Sequence, residues 1–300
     1  MIDKRKIFCL DIGGTMIKYG LASLEGNLLA VNSMPNKILH GGVEAFMEQI
    51  LEVLEDCQMR GEIIEGIAVG TAGIVEENTG KILLIGDNFP GYSGYPLGEK
   101  LRELTGFPVT VGNDVNVAAL GEYFVGAGKG TKLMVMMTIG TGVGSAIIFD
   151  GKLIVGRHGA TGEVGYYILS DGSKLDNVGS TRGLVHCLAG MTGERVEELN
   201  GKIIIDRIKT GDALAIKALE KTMDYLAQGM VRLAKTVDPD CFVLGGGIME
   251  ASDVVLPYLH KALAEQNAAE VFTKLDIRPA VLGNKAGMYG AVQYFLEEIR

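Results

Sequence analysis

The stretch Lys6-Ile-Phe-Cys-Leu-Asp11-Ile-Gly13-Gly14-Thr15-Met-Ile-Lys18 is an apolar run that stops at a carboxylate, two glycines and a hydroxyl. An apolar run this short, bounded by glycines, reads as a buried strand, and the glycines let the backbone turn sharply or approach a ligand. Ile17 to Ala22 and Leu28 to Val31 follow, separated by the Glu25-Gly26-Asn27 turn signal, so the chain opens as a β-meander. The amides of Gly13 and Gly14, the Thr15 hydroxyl and Lys18 suit phosphate oxygens. Asp11 suits hydrated magnesium, which takes few protein carboxylates and keeps most of its waters. Taken alone, Gly-Gly-Thr is also an ordinary hairpin turn.

What lifts it above that is its repetition. Lys132 to Ile139 is a second apolar strand running into Gly140-Thr141-Gly142-Val-Gly144, and Ser145 to Phe149 and Leu153 to Val155 flank the hairpin signal Asp150-Gly151. Two glycine-edged meanders, each followed by helical periodicity, imply an internal duplication. In the first half the helical pattern covers 42–60 and 97–105, with a strand at 66–70 between them and another at 109–111 after them. In the second half it covers 213–237, before Cys241-Phe-Val-Leu-Gly245-Gly246-Gly247, and the chain closes with a helix over 286–299. The division expected is a first lobe over 1–112, rejoined by a C-terminal helix over 287–300, and a second lobe over 113–286. Two phosphate loops, with Thr138, Gly140, Thr141 and Gly142 in the second, can hold the β- and γ-phosphates of ATP. No GxxxxGK[ST] occurs, and the run Gly245-Gly246-Gly247 lacks the G-x-G-x-x-G spacing, which disfavours a dinucleotide enzyme.

Composition narrows the partners. Of 300 residues, 47% are hydrophobic and 22% charged, which is the make-up of a packed globular chain. A net charge of −9 offers no general attraction for nucleic acid or an anionic membrane. Four scattered cysteines without a C-x-x-C pair disfavour a zinc knuckle or a disulfide scaffold and fit a reducing cytoplasm, and the first residues offer neither a secretory h-region nor a membrane span.

Asp114 is the expected catalytic residue. It follows the strand Val109–Val111 and Gly112-Asn113, at the head of a helical pattern over 115–126. Transfer of a phosphoryl group to a hydroxyl needs a base within hydrogen-bond reach, and a flanking pair of amides, Asn113 and Asn116, suits a polyhydroxyl acceptor. Capping the helix is the plainer task that an Asp performs at such a position.

These motifs resemble the ROK family of bacterial sugar kinases, within the actin-like ATPase superfamily. Beyond Asp11 to Lys18, the resemblance is carried by Gly70-Thr-Ala-Gly73-Ile-Val-Glu with Gly80, Asn88-Phe-Pro, Asn113-Asp114-Val-Asn116 and Thr138 to Gly144. It continues through Gly162-Glu163-Val-Gly165, Leu244-Gly-Gly-Gly247 and Ala286-Gly-Met-Tyr-Gly-Ala291. It implies a duplicated α/β, ribonuclease-H-like fold with an interlobe cleft, ATP and magnesium as cofactors, a sugar substrate and a homodimer. Transfer would be to the 6-hydroxyl of a hexose or N-acylhexosamine, of glucose or N-acetylmannosamine type, with a β-glucoside 6-kinase or a non-catalytic sugar sensor as alternatives. It also implies a sugar site from Gly73, Asn88, Asn113, Asp114, Glu163 and Tyr166, and an ATP site that adds Gly245, Gly246 and Gly247 to the two phosphate loops. DNA-binding members carry a helix-turn-helix before the kinase-like body, for which the position of Asp11 leaves no room. Similar kinases bind zinc through E-x-G-H and a C-x-C-G-x-x-G-C cluster. Here the first reads Glu163-Val-Gly165-Tyr166 and no cysteine lies from Ser173 to His186, so no zinc is expected.

Overall fold

The computed structural model describes residues 4–86 and 89–299. The chain forms two compact units, one of Met1–Lys129, Gly151–Thr161 and Asn284–Arg300, the other of Gly130–Asp150 and Gly162–Gly283. In the first, β1 (Arg5–Ile12), β2 (Met16–Ser23) and β3 (Leu28–Pro35) make the meander; α1 (Ile38–Met59), β4 (Ile63–Thr71), the hairpin β5 (Ile74–Glu76) and β6 (Lys81–Leu84), α2 (Leu97–Thr105), β7 (Val109–Asn113) and α3 (Asp114–Val125) follow. The sheet order is β3-β2-β1-β4-β7, with β1, β4 and β7 parallel. Along β1, Phe8, Leu10 and Ile12 enter the core under α1 and α2, while Ile7 and Cys9 enter the core under the C-terminal helix. Both faces of this strand are therefore covered, which is why it reads as a continuous apolar run and not as an alternation.

The second unit contains β8 (Leu133–Ile139) and β9 (Val143–Phe149), after which the Asp150-Gly151 turn leads to β10 (Lys152–Leu153). It continues with α4 (Leu175–Val178), α5 (Thr181–Thr192), α6 (Gly201–Lys209), α7 (Ala213–Val237), β11 (Cys241–Gly245), α8 (Ser252–Ala264) and β12 (Ile277–Pro279). Its strands run β9-β8-β11-β12, repeating β2-β1-β4-β7: an antiparallel hairpin whose first strand is extended by two parallel ones. The duplication is thus in the topology itself. Leu219, Met223, Leu226 and Met230 of α7, at helical spacing, pack on Val135, Met137, Phe242 and Leu244 of this sheet.

The division differs from that read in the sequence. Helix α3, expected to open the second lobe at 113, belongs to the first unit, where it packs against α9 (Ala286–Glu298), with Gly121 against the backbone of Ala286 and Gly290 against that of Val117. The segment Gly151–Thr161 also joins the first unit. Strand β3 runs on to Pro35, and α1 begins at Ile38 with a break at Gly42 (φ 69°, ψ −168°), where periodicity alone placed its start. All four cysteines are free, and burial pushes the Cys9 thiol up to about 12, far from reactivity. Among the described residues no helix is long and apolar enough to cross a membrane.

Candidate active site

Three parallel strands of the first unit end in register. Asp11 pairs with Gly70, which pairs with Gly112, and the next row is Ile12, Thr71 and Asn113. The carboxyl end of a parallel sheet is where α/β folds bind ligands, because the turns and helix starts that follow present backbone donors there. The Asp11 carboxylate receives Lys18 Nζ at 2.8 Å across the β1–β2 hairpin, so Lys18 is tied to the acid rather than extended from the turn. A Cβ on Gly287 would lie 2.9–3.1 Å from that carboxylate, so the missing side chain lets the first turn of α9 come up to it. The positive end of a helix dipole then faces the acid. One half-buried carboxylate at a helix start fits magnesium in the way that ion prefers, through one protein oxygen with water filling the rest.

The loop Gly13-Gly14-Thr15 between β1 and β2 is braced by a residue the sequence did not single out. Asn36, buried just past β3, donates from Nδ2 to Gly13 O at 2.8 Å and from its amide to Thr15 O at 2.9 Å, and its Oδ1 accepts from Ile38 N at 2.9 Å. One residue, through its side chain and its main-chain amide, thereby ties the loop to the chain entering α1.

At the end of β7, Asn113 Oδ1 accepts from the amides of Val115 and Asn116 at 2.9 and 3.1 Å, and its Nδ2 donates to Gly73 O at 2.8 Å. Asn113 therefore performs the capping, while Asp114 stands as the first residue of α3 with Oδ1 accepting from Val115 N at 2.9 Å. Capping the helix therefore does not depend on Asp114. Gly73 is brought to Asn113 through its carbonyl; Asn88 lies outside the described residues.

In the second unit a cavity of about 730 Å³ opens beside the loop after β8. Gly140 and Thr141 lie at one side, Gly247 and Ile248 after β11 at another, and Thr181 and Arg182 at the start of α5. Val185, Leu199 and Ile205 give it an apolar wall, with Asn200 and Asp206 among its polar groups. An apolar wall beside glycine amides and a few convergent polar groups suits a flat base attached to phosphates. Not every residue expected to hold ATP lines it. Gly142 is packed on Asp176, Thr138 and Gly245 are a register pair inside the sheet, and Gly246 leads from β11 against the carbonyl of Ile139.

Glu163 precedes a 3-10 turn over Val164–Tyr166. Partial burial, reinforced by the Asp176 carboxylate and opposed by Lys174, holds its carboxyl above its ordinary value. Tyr166 is 59% exposed, with Lys174 Nζ 3.7 Å from its ring centroid. The segment that follows is held by hydrogen bonds: Ile168 bridges Lys174, Leu175 N donates to Tyr167 O at 2.9 Å, and Tyr225 Oη donates to Asp171 at 2.9 Å.

A sheet motif repeated in two units, with glycine loops at the carboxyl ends of its strands, is the architecture of the actin-like ATPase fold. The chain belongs to the ROK family, whose pattern matches residues 7–298. It is 31% identical to a glucokinase of Halalkalibacterium halodurans over 94% of this chain and 92% of that one. It is 29% identical to a β-glucoside kinase of Klebsiella pneumoniae over 97% and 96%. The crystal structure of a ROK family glucokinase from Streptomyces griseus, in complex with glucose and AMPPNP, superposes with a TM-score of 0.79 at 28% identity, covering 96% of this chain and 98% of that one. Within its family the chain stands with the sugar kinases.

Proposed function

We propose that this chain transfers the γ-phosphoryl group of ATP to the 6-hydroxyl of a hexose or N-acylhexosamine. The observation that carries the reading is the arrangement at the ends of β1, β4 and β7, where Asp11 stands in register with Gly70 and Gly112, Asn113 falls in the next row and Asp114 follows at the head of α3, beside a braced glycine loop. Asp114 accepts the proton of the sugar hydroxyl as its oxygen bonds to the γ-phosphorus; the bond from that phosphorus to the β–γ bridging oxygen breaks, and ADP leaves. The other hydroxyls are held by Asn88, by Glu163 and by Asn113, whose side chain is fixed by its cap on α3 and by Gly73 O. The base and ribose occupy the 730 Å³ cavity, with Gly140 and Thr141 toward the phosphates. Thr138, Gly142, Gly245 and Gly246 shape that site from behind, and Gly13, Gly14 and Thr15 receive phosphate oxygens in the first unit. Lys18 holds Asp11 and adds positive charge beside the phosphates. Asp11 holds magnesium through water, and the ion supplies neutralisation of phosphate charge. No zinc takes part, and the working protein is a cytoplasmic homodimer.

A coupled assay for ADP over glucose, N-acetylmannosamine, N-acetylglucosamine, mannose and cellobiose tests this, with magnesium omitted and restored. ADP formation with a monosaccharide supports the hexose reading, and formation confined to cellobiose moves the assignment to a β-glucoside 6-kinase. ADP formation with none of these sugars would leave a sugar sensor. Tyr166→Phe tests the sugar's C2 side. The ring and its stacking on Lys174 survive, so only the hydroxyl is removed, and kcat/KM for the preferred sugar falls by about tenfold, as for one lost hydrogen bond, while KM for ATP is unchanged. An equal effect on every sugar would place Tyr166 outside the pocket.

A further inference from the structure

Asp176, in the short helix α4, makes contacts out of proportion to its position. Its Oδ1 accepts from Val143 N at 2.8 Å, the residue that ends the loop after β8. A Cβ on Gly142 would lie 2.3 Å from that same oxygen, and a Cβ on Gly165 would lie 3.0 Å from it. Its Oδ2 accepts from Arg182 Nη2 at 3.1 Å, and Arg182 lines the cavity assigned to the nucleotide. The acid is itself anchored, since its main-chain oxygen accepts from Ser180 Oγ at 2.7 Å and the buried Ser180 caps α5 by accepting from Gly183 N. One carboxylate thus touches the phosphate loop, the Glu163–Tyr166 turn and the wall of the cavity.

The ion pair with Arg182 is too exposed to be a large source of stability, 44% and 27% for the two side chains. Its value lies in placement. Charge-assisted hydrogen bonds are short and directional, and two glycines without side chains let the loop and the turn both close onto the same oxygen. We propose that Asp176 is a positioning residue that sets the phosphate loop after β8 and the Glu163 turn in register with each other, through Val143 N–H, the α-carbons of Gly142 and Gly165, and Arg182. It is a ligand of neither substrate. The same Asp176 charge contributes to raising the Glu163 carboxyl. The inference rests on the kinase reading above.

Steady-state kinetics separates the roles. Asp176→Ala removes every contact, and KM for ATP and KM for sugar both rise by about tenfold. Arg182→Ala raises KM for ATP alone. Asp176→Asn keeps an oxygen for Val143 N–H but loses the charge facing Arg182, and it follows Arg182→Ala. A rise in the sugar KM alone for Asp176→Ala would make Asp176 a direct sugar ligand, and a fall in kcat with both KM values unchanged would make it purely structural; either result overturns the proposal. Should Asp176→Ala fail to give a folded circular dichroism spectrum, Asp176→Asn decides, since unchanged KM for ATP there also overturns it. Calorimetric binding of a non-hydrolysable ATP analogue, weakened about tenfold in Asp176→Ala, reads the loop independently of any sugar. If the wild-type protein forms ADP with no sugar, the kinase reading fails, while the analogue's affinity still decides the placement of the loop.

Discussion

Asp114→Asn lowers kcat by about 10²–10⁴-fold, the range that a positioned general base contributes. The substitution is close to isosteric, and the structure shows why the fold survives it. The amides of Val115 and Asn116 are capped by Asn113, so α3 keeps its start whatever stands at 114. An Asn at 114 retains an oxygen for Val115 N, the contact Asp114 Oδ1 makes at 2.9 Å. What it loses is a site for the hydroxyl proton, and about 0.3–1 kcal/mol of favourable charge in the first turn of a helix. Sugar binding, read by calorimetry, therefore stays within a few-fold of wild type while turnover collapses, the signature of a contact used only in the transition state. Retention of more than about a tenth of kcat would remove Asp114 from the role of base.

Local pattern carried the reading furthest where an element owes its form to its own residues. Helices α2 and α7 fall where their periodicity places them, and Asp150-Gly151 forms the turn its sequence announces, with φ of 50° and 81° at the two positions. The recurrence of a strand ending in glycines also announced the two repeated sheets. Residues whose role depends on distant partners were not legible. Asn36 reaches Gly13 across 23 positions, and Asp176 reaches Val143 across 33, so no spacing rule marks either. The apolar wall of the 730 Å³ cavity, Val185, Leu199 and Ile205, has the pattern of ordinary core positions. The lobe boundary was misplaced for the same reason: a strand, Asn-Asp and a helix look like the opening of a new unit, and what ties α3 back is a helix more than half the chain away.

That tie can be broken by a single methyl group. Gly290→Ala destabilises the first unit by about 3 kcal/mol or more, the upper end of what overpacking costs. On propensity alone the change is favourable, since Ala in a helix interior gains about 0.5–1 kcal/mol over Gly. Packing reverses the sign: a Cβ at 290 would stand 1.4 Å from Val117 O and 2.8 Å from Gly121 N, both backbone atoms of α3 that no rotamer change can clear. The two helices must separate, and with them goes the core of Val117, Met288, Ala291 and Phe295 that α3 and α9 bury against the sheet. Asp114 heads the displaced helix, so phosphoryl transfer falls along with the urea midpoint. Gly190→Ala in α5 is the matched control, because a Cβ there meets nothing within 4 Å and the propensity gain stands alone. The unfolding midpoint therefore falls for Gly290→Ala and holds or rises for Gly190→Ala; a Gly290→Ala protein as stable and as active as wild type would mean that the α3–α9 crossing does not hold Asp114 in place.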